Sequence, residues 1–339
     1  MDASYRERTE RLELEMLSER AQPVSRSGGR VVAEPEDDIR TAYQRDRDRV
    51  VHSKAFRRLA HKTQVFLAPE GDHYRVRLTH TLEVTQVART IARALRLNED
   101  LVEAICLGHD LGHTPFGHQG EEVVARFHPG FRHNLQSVRI VEVLERLNLT
   151  WEVRDGIANH TWSMPMPDSL EGQIARYADR IAYINHDIDD AIRAGILAEG
   201  ELPEAAIEML GDSHSRRIHT MVADLVDASA EGDAISMSTE VFDAMGITRD
   251  FLFERVYLGR GGPPTPEAVE LIVQGLLEHF EQNGAPNHEG FAPSPAGAPG
   301  DIDERVRAVD YVAGMTDRFA LRVFESVVGE LPPGVGVLG

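Results

Sequence analysis

The chain has 339 residues, with 36 lysines and arginines against 56 aspartates and glutamates, a formal net charge of −20. An acid excess of this size excludes a general nucleic-acid coat, whose footprint is a broad basic face, and disfavours anionic membrane surfaces. Hydrophobic content of 42% and charged content of 27% are those of an ordinary globular protein, long enough to bury a large core. The single cysteine, Cys106, excludes a disulfide framework or thiolate zinc site, and its apolar setting reads as core.

Residues 1–20 read as a short charged helix without the apolar region of a signal peptide, and residues 21–39 as a polar loop. No apolar stretch approaches the ~20 residues needed to span a bilayer, so a cytoplasmic location is expected. A helix is predicted over 46–62, with Val50, Val51, Phe56 and Leu59 on its buried stripe. Basic residues bunched between Arg40 and Arg77 point to a local anion site within the acidic whole. Strand signals are confined to weak candidates near 64–67 and 73–78.

Helices then dominate. Leu82, Val84, Val87, Ile91 and Leu95 mark one over 79–95, and Asn98 is placed to cap another over 99–112, ended by Gly112. Pro115 prevents its continuation, and a new helix starts near Gln119. Further helices are predicted over 136–146, 151–160, 170–194, 216–229 and 266–282. The Gly-, Pro- and Ala-rich stretch 283–301 reads as a linker before a last helix over 302–328. The expected fold class is all-α. Residues 1–39 form an N-terminal helix and loop, 40–200 a core, and 201–339 a helical C-terminal region.

Within that core His109 and Asp110 stand side by side behind an apolar run. They share one end of a helix and can converge on one ion. His80 and Asp179, on two other predicted helices, are candidates to complete the set, because an aspartate inside an apolar helix needs a partner to offset its desolvation. Nitrogen and oxygen donors without thiolate suit Mn²⁺, Fe²⁺, Co²⁺, Ni²⁺ or Mg²⁺ better than structural zinc, with open positions for water and a substrate oxygen.

The order His80, His109-Asp110, Asp179 resembles the HD-domain phosphohydrolase signature. More specific blocks surround it: His52-Ser-Lys-Ala-Phe-Arg-Arg-Leu59, Lys62-Thr-Gln-Val-Phe66, Gly71-Asp-His-Tyr-Arg75, Gly108-His-Asp-Leu-Gly-His-Thr-Pro-Phe-Gly-His-Gln-Gly-Glu121, His133-Asn134, Ala178-Asp-Arg-Ile-Ala-Tyr-Ile-Asn-His-Asp187 and Asp310-Tyr-Val-Ala-Gly-Met-Thr-Asp317. From about residue 30 to 325 they resemble the bacterial deoxyguanosine triphosphate triphosphohydrolase family. The resemblance implies an HD helical core with additional C-terminal helices. It implies hydrolysis of dGTP or other dNTPs to deoxynucleoside and inorganic triphosphate, with His80, His109, Asp110 and Asp179 holding a divalent ion.

By the same resemblance, His118 and Glu121 are a catalytic pair, and His113 and His133 further active-site histidines, either of which could protonate the departing 5′ oxygen. A spacing of three residues lets Glu121 meet His118 on a helix and fix its tautomer. Arg77 and Tyr183 resemble phosphate contacts; Gln64 and Asp187 border the sugar, and Tyr311 and Asp317 the base. Arg57, Arg58 and Lys62 are phosphate ligands or a solvated helix face. Trp162-Ser-Met-Pro-Met-Pro167 departs from the family's expected polar loop.

Homo-oligomerisation to a tetramer or hexamer, with the C-terminal region at the interface, and a dNTP effector are implied by the family. Single-stranded nucleic acid is a disfavoured partner. Two other readings remain at this point. One is a different HD phosphohydrolase: a nucleotidase, or a hydrolase of cyclic dinucleotides or guanosine tetraphosphate. The other is a catalytically silent nucleotide sensor.

Overall fold

Ser4, Ser53, Asn98, Ser169, Ser238, Thr265, Asp303 and Thr316 each accept a backbone N–H at the head of a helix. Such caps satisfy donors that the first turn leaves unpaired. The computed structural model describes residues 3–64, 75–198, 200–257, 265–286, 303–333 and 335. Among them are fifteen α-helices: α1 (Tyr5–Met16), α2 (Ala42–His52), α3 (Lys54–Arg58), α4 (Arg77–Ala94), α5 (Glu99–Gly108), α6 (Gly117–Phe127), α7 (His133–Arg139), α8 (Trp151–Asn159), α9 (Leu170–Arg193), α10 (Glu204–Leu210), α11 (His214–Ser229), α12 (Thr239–Leu252), α13 (Pro266–Asn283), α14 (Glu304–Ala313) and α15 (Asp317–Val327). The fold is all-α as expected. Two isolated bridges, Arg30–Thr150 and Thr63–Val76, are the only β pairing among the described residues. Residues 65–67 and 73–74 of the strand candidates, and most of the linker 283–301, lie outside the described residues; in the rest of 73–78, Val76 forms an isolated bridge and Arg77 and Leu78 already belong to α4.

The chain divides into two compact units. The first comprises Met1–Val50, His80–His109 and Asn148–Gly261; the second comprises Val51–Thr79, Asp110–Leu147 and Gly262–Gly339. In the first, α5 packs on α8 and α9. Ile105, Cys106, Val153, Ile157, Ile174, Ala178 and Ile181 are wholly buried there. α5 and α8 approach closely because Gly156 has no side chain: a Cβ there would lie 2.6 Å from Ile105 Cδ1. In the second unit α13 packs on α6, α14 and α15, burying Val124, Ile272, Leu276, Phe280, Val309 and Phe324 in one cluster.

The structure corrects several boundaries. The helix predicted over 46–62 breaks at Ser53, whose hydroxyl accepts from Phe56 N, while Glu145 accepts from Lys54 N and Ala55 N. These polar groups supply the new helix head that periodicity alone does not reveal. α5 ends at Gly108 rather than at Gly112; Gly112 N donates instead to Ser137 Oγ at 2.8 Å. The last helix is two, with Gly314 closing α14 and Thr316 capping α15. The helix predicted over 136–146 begins at His133 and widens into a π turn at Ile140–Leu144. The arginines of the basic strip on and before α2 are tied to neighbouring acids: Arg40 to Asp37 and Asp48, Arg45 and Arg49 to Glu34, and Arg47 to Asp48. That part of the strip is locally neutralised, which removes it from the expected anion site.

Candidate active site

In the first unit α5 delivers His109. Its apolar residues bury the helix against α8 and α9, and His109 follows the last turn. His109 Nδ1 lies 2.6 Å from Cys106 O. A carbonyl only accepts, so the ring proton is on Nδ1 and the lone pair on Nε2, which stands 3.8 Å from Asp179 Oδ1. His160, following α8, is fixed the same way by Ile157 O at 2.8 Å. His80, on the first turn of α4, places Nε2 at 3.2 Å from the same Asp179 oxygen. Ligand atoms of His109, His160 and Asp179 lie within 4.8 Å of one another.

Lone pairs converging on a carboxylate oxygen repel unless a proton or a cation stands among them. The donor set therefore fits a divalent ion bound through imidazole nitrogen and carboxylate oxygen. Asp179 is suited to it. Burial opposes its charge, but the imidazoles of His80 and His109 beside it hold the carboxyl well below its ordinary range. His160 escaped the sequence reading. Its one signal was its place at the end of an apolar helix, the same setting as His109.

The second unit gathers most of the remaining candidates. Arg77 and Asp110, both almost wholly buried, form an ion pair at 2.9 Å. His113 Nε2 lies 3.2 Å from the other Asp110 oxygen. Burial, with Arg77 nearby, pushes the His113 pKa well down, so that ring is neutral at physiological pH. Its ring stacks on His133 with centroids 3.9 Å apart. Glu121 grips His133 more firmly than His118: both carboxylate oxygens lie 2.9 Å from His133 Nδ1, and one also accepts from His133 N at 2.8 Å. His118 Nδ1 stands 3.6 Å away on a side chain that is 74% exposed. Burial works against the charge on Glu121, but His133 and His118 outweigh it and keep the carboxylate ionised. A carboxylate on Nδ1 leaves Nε2 of His133 as the proton-transferring nitrogen.

The turn before these histidines is strained. Phe116 is buried with φ 63°, in the left-handed region that side chains avoid. It is held there by its place in the apolar cluster and by Asp317 Oδ1, which accepts from Phe116 N at 3.0 Å. Asp317 Oδ2 accepts from Thr63 N and Oγ1, so this carboxylate braces the turn that starts α6.

Comparison with known proteins follows the same lines. Residues 77–184 match the HD domain and residues 235–326 a phosphohydrolase-associated domain. A deoxyguanosinetriphosphate triphosphohydrolase-like protein from Caldanaerobacter subterraneus is 54% identical over 95% of this chain and 95% of its own. The chain belongs to the deoxyguanosinetriphosphate triphosphohydrolase-like family. Relatives of the same description from Desulfatibacillum aliphaticivorans (46% identical, 97% of this chain, 99% of its own) and Clostridium perfringens (47%, 95% and 97%) extend the likeness across almost the whole length. A solved structure of a hypothetical protein from Aquifex aeolicus is similar over 84% of this chain and 71% of its own, at 19% identity and a TM-score of 0.45.

Membership makes the chain an HD phosphohydrolase, a class that binds divalent metals. No helix among its described residues is long and apolar enough to cross a membrane. Tyr183 and Asp187 share α9 with Asp179, and burial raises the Tyr183 hydroxyl to about 12. Gln64 is buried, Tyr311 packs edge-on against Phe280 at 4.7 Å, and Arg57 is exposed, donating to His52 O. Trp162 packs on Tyr177 and lies under Arg180, 3.7 Å from the guanidinium carbon to the ring centroid, so the apolar loop covers a cation.

Lys62 belongs to no solvated face. It is 2% exposed, and Nζ donates to His113 O and, at 2.8 Å, to Ala313 O. Burial, with Arg58 nearby, pulls its pKa from 10.5 down to about 7. Between those values the unfolded chain binds a proton that the folded chain does not, so stability rises with pH, by up to about 1.4 kcal/mol per unit. Lys62→Met is expected to cost about 2 kcal/mol near neutrality by stranding two carbonyls. Its deficit relative to wild type should widen as pH rises through that window in urea denaturation. A constant gap would show that Lys62 stays charged in the fold.

Proposed function

We propose that the protein hydrolyses deoxynucleoside triphosphates, dGTP among them, to deoxynucleoside and inorganic triphosphate. The observation that carries this reading is the set of imidazole nitrogens turned on Asp179 in a chain alike, nearly end to end, to triphosphohydrolase-like relatives. The proposed ligands are His80, His109, Asp110 and Asp179; Asp110 follows His109 directly in the chain. Bound there, Mn²⁺, Mg²⁺, Fe²⁺, Co²⁺ or Ni²⁺ supplies Lewis acidity to the α-phosphate.

Water attacks the α-phosphorus and the bond to O5′ breaks. The water loses one proton and O5′ gains one. His133, oriented by Glu121, offers Nε2 for proton transfer beside the neutral His113, with His118 as an exposed auxiliary. Arg77, Lys62, Arg57 and Tyr183 are proposed on the phosphate side, Gln64 and Asp187 near the sugar, and Tyr311 and Asp317 near the base. Residues 40–200 would carry the reaction, with 201–339 completing the pocket and a tetramer or hexamer interface. A dNTP effector and a cytoplasmic setting belong to the same proposal.

Chromatography of the products tests it, with Mn²⁺ and each of the four dNTPs, singly and mixed, against an Asp110→Ala control. Deoxynucleoside and intact triphosphate, absent with the control, are expected. Pyrophosphate or monophosphate products would instead place the chain in another HD branch. Tight dNTP binding without turnover would make it a sensor.

A further inference from the structure

Helices α4 and α9 each contribute one residue to the cluster around Asp179 and one residue behind it. On α4 His80 is followed three residues on by Glu83, and on α9 Asp179 is followed seven residues on by His186, two turns along the same face. The two residues behind the cluster meet. His186 Nε2 lies 2.9 Å from Glu83 Oε2, and His186 Nδ1 lies 3.3 Å from His80 Nδ1. His186 is buried, with 2% of its surface exposed, whereas the Glu83 side chain is 40% exposed and keeps its charge solvated.

The proton positions follow from the partners. A carboxylate only accepts, so His186 carries its proton on Nε2 and presents a lone pair at Nδ1. His80 then donates from Nδ1, and its own lone pair is at Nε2, the nitrogen 3.2 Å from Asp179. The rings of His80 and His186 stand at 88° with centroids 5.5 Å apart, an arrangement in which one ring edge addresses the other. His109 and His160 obtain the same tautomer from backbone carbonyls. At His80 the partner of Nδ1 is another imidazole, which by itself fixes neither tautomer. Glu83 breaks that symmetry.

We infer that Glu83 and His186 are positioning residues, a carboxylate–imidazole relay that holds His80 with Nε2 presented to the divalent ion. The inference rests on the metal-centre reading above and deepens it. Partners of this kind, one step behind a ligand, typically change metal affinity by about 10–100-fold. The side chains available at each position discriminate the relay from simple space filling. Glu83→Gln keeps the shape of the carboxylate but loses the charge, and its amide can donate to His186 Nε2, which would reverse the proton order. His186→Phe keeps the ring and removes both nitrogens. His186→Asn shrinks the side chain but restores an acceptor oxygen about where Nδ1 stands.

The test is the affinity of the full-length, chelator-stripped protein for Mn²⁺ alone, read by calorimetry and by paramagnetic resonance of the free ion, with no substrate present. Glu83→Gln is expected to weaken binding about 10-fold and His186→Phe up to about 100-fold, while His186→Asn recovers most of the loss. Circular dichroism and melting temperature should stay near wild type for Glu83→Gln, whose side chain is partly solvent-exposed. Binding as tight as wild type in Glu83→Gln and His186→Phe would overturn the relay and leave the metal centre standing. His186→Asn as weak as His186→Phe would overturn it too, because the ring would then matter by filling space. A wild-type protein that binds no divalent ion would remove the metal centre, and the relay with it.

Discussion

Asp179→Asn is expected to lower the turnover of dNTPs by at least about 1,000-fold, the equivalent of about 4 kcal/mol of transition-state stabilisation. The two side chains have the same shape, so the loss isolates the charge. Asp179 is the anion on which His80 and His109 converge, at 3.2 and 3.8 Å. An amide in its place leaves the donors but removes the carboxylate that pairs with a cation. The metal-free protein should also feel the loss: the neighbouring imidazoles hold the Asp179 carboxyl below its ordinary range, that stabilisation goes with the charge, and the melting temperature of the stripped variant should fall below that of stripped wild type. Added Mn²⁺ should widen the gap. At 100 times its dissociation constant a ligand stabilises the fold by about 2.7 kcal/mol, a shift expected for wild type and lost in the variant. Retained turnover in the variant would exclude Asp179 from the metal centre.

How far the sequence discloses such a site depends on whether a feature is local. The apolar run of α5 and the Asn98 cap place His109 correctly, because both are read within one helix. α9 is legible throughout its length for the same reason: Ser169 caps it and nineteen of its residues are buried. Lys62 was not legible. A lysine after two arginines reads equally as a phosphate ligand or a solvated face, and only the folded chain brings the carbonyls of His113 and Ala313 to its Nζ. The preference of Glu121 for His133 over His118 is likewise tertiary: the spacing of three residues is present in the sequence, whereas the His133 contact joins α6 to α7. His186 meets Glu83 and His80 through such contacts, and the periodicity of α9 carries no trace of them, while His160 is marked only by its place at the end of α8. The breaks at Ser53 and Thr316 escaped the sequence reading, because each was read as lying inside one continuous helix.

The close approach of backbone to backbone at Gly112 is the other feature no periodicity reports, and it carries the second large effect. A Cβ at Gly112 would lie 2.3 Å from both His133 O and Ser137 N, and 2.6 Å from Gln136 C. These are backbone atoms of α7, so no side-chain rotation relieves the clash. The helix itself must move, and with it the Gly112 N–H bond to Ser137 Oγ and the ring of His133 beside Glu121. Gly112→Ala is therefore expected to cost about 3 kcal/mol, the upper end for overpacking, seen as a lower urea midpoint at unchanged slope. Gly246 provides the contrast. It lies inside α12, where an added Cβ would meet nothing within 4 Å, so Gly246→Ala should stabilise by about 0.5–1 kcal/mol through helix propensity alone. The pair separates a general effect of alanine in a helical protein from the contact at α7. Equal effects of the two substitutions would mean that α7 yields freely. In that case the backbone of α7 would not be what fixes His133 against Glu121, and the orientation of that imidazole would rest on the carboxylate alone.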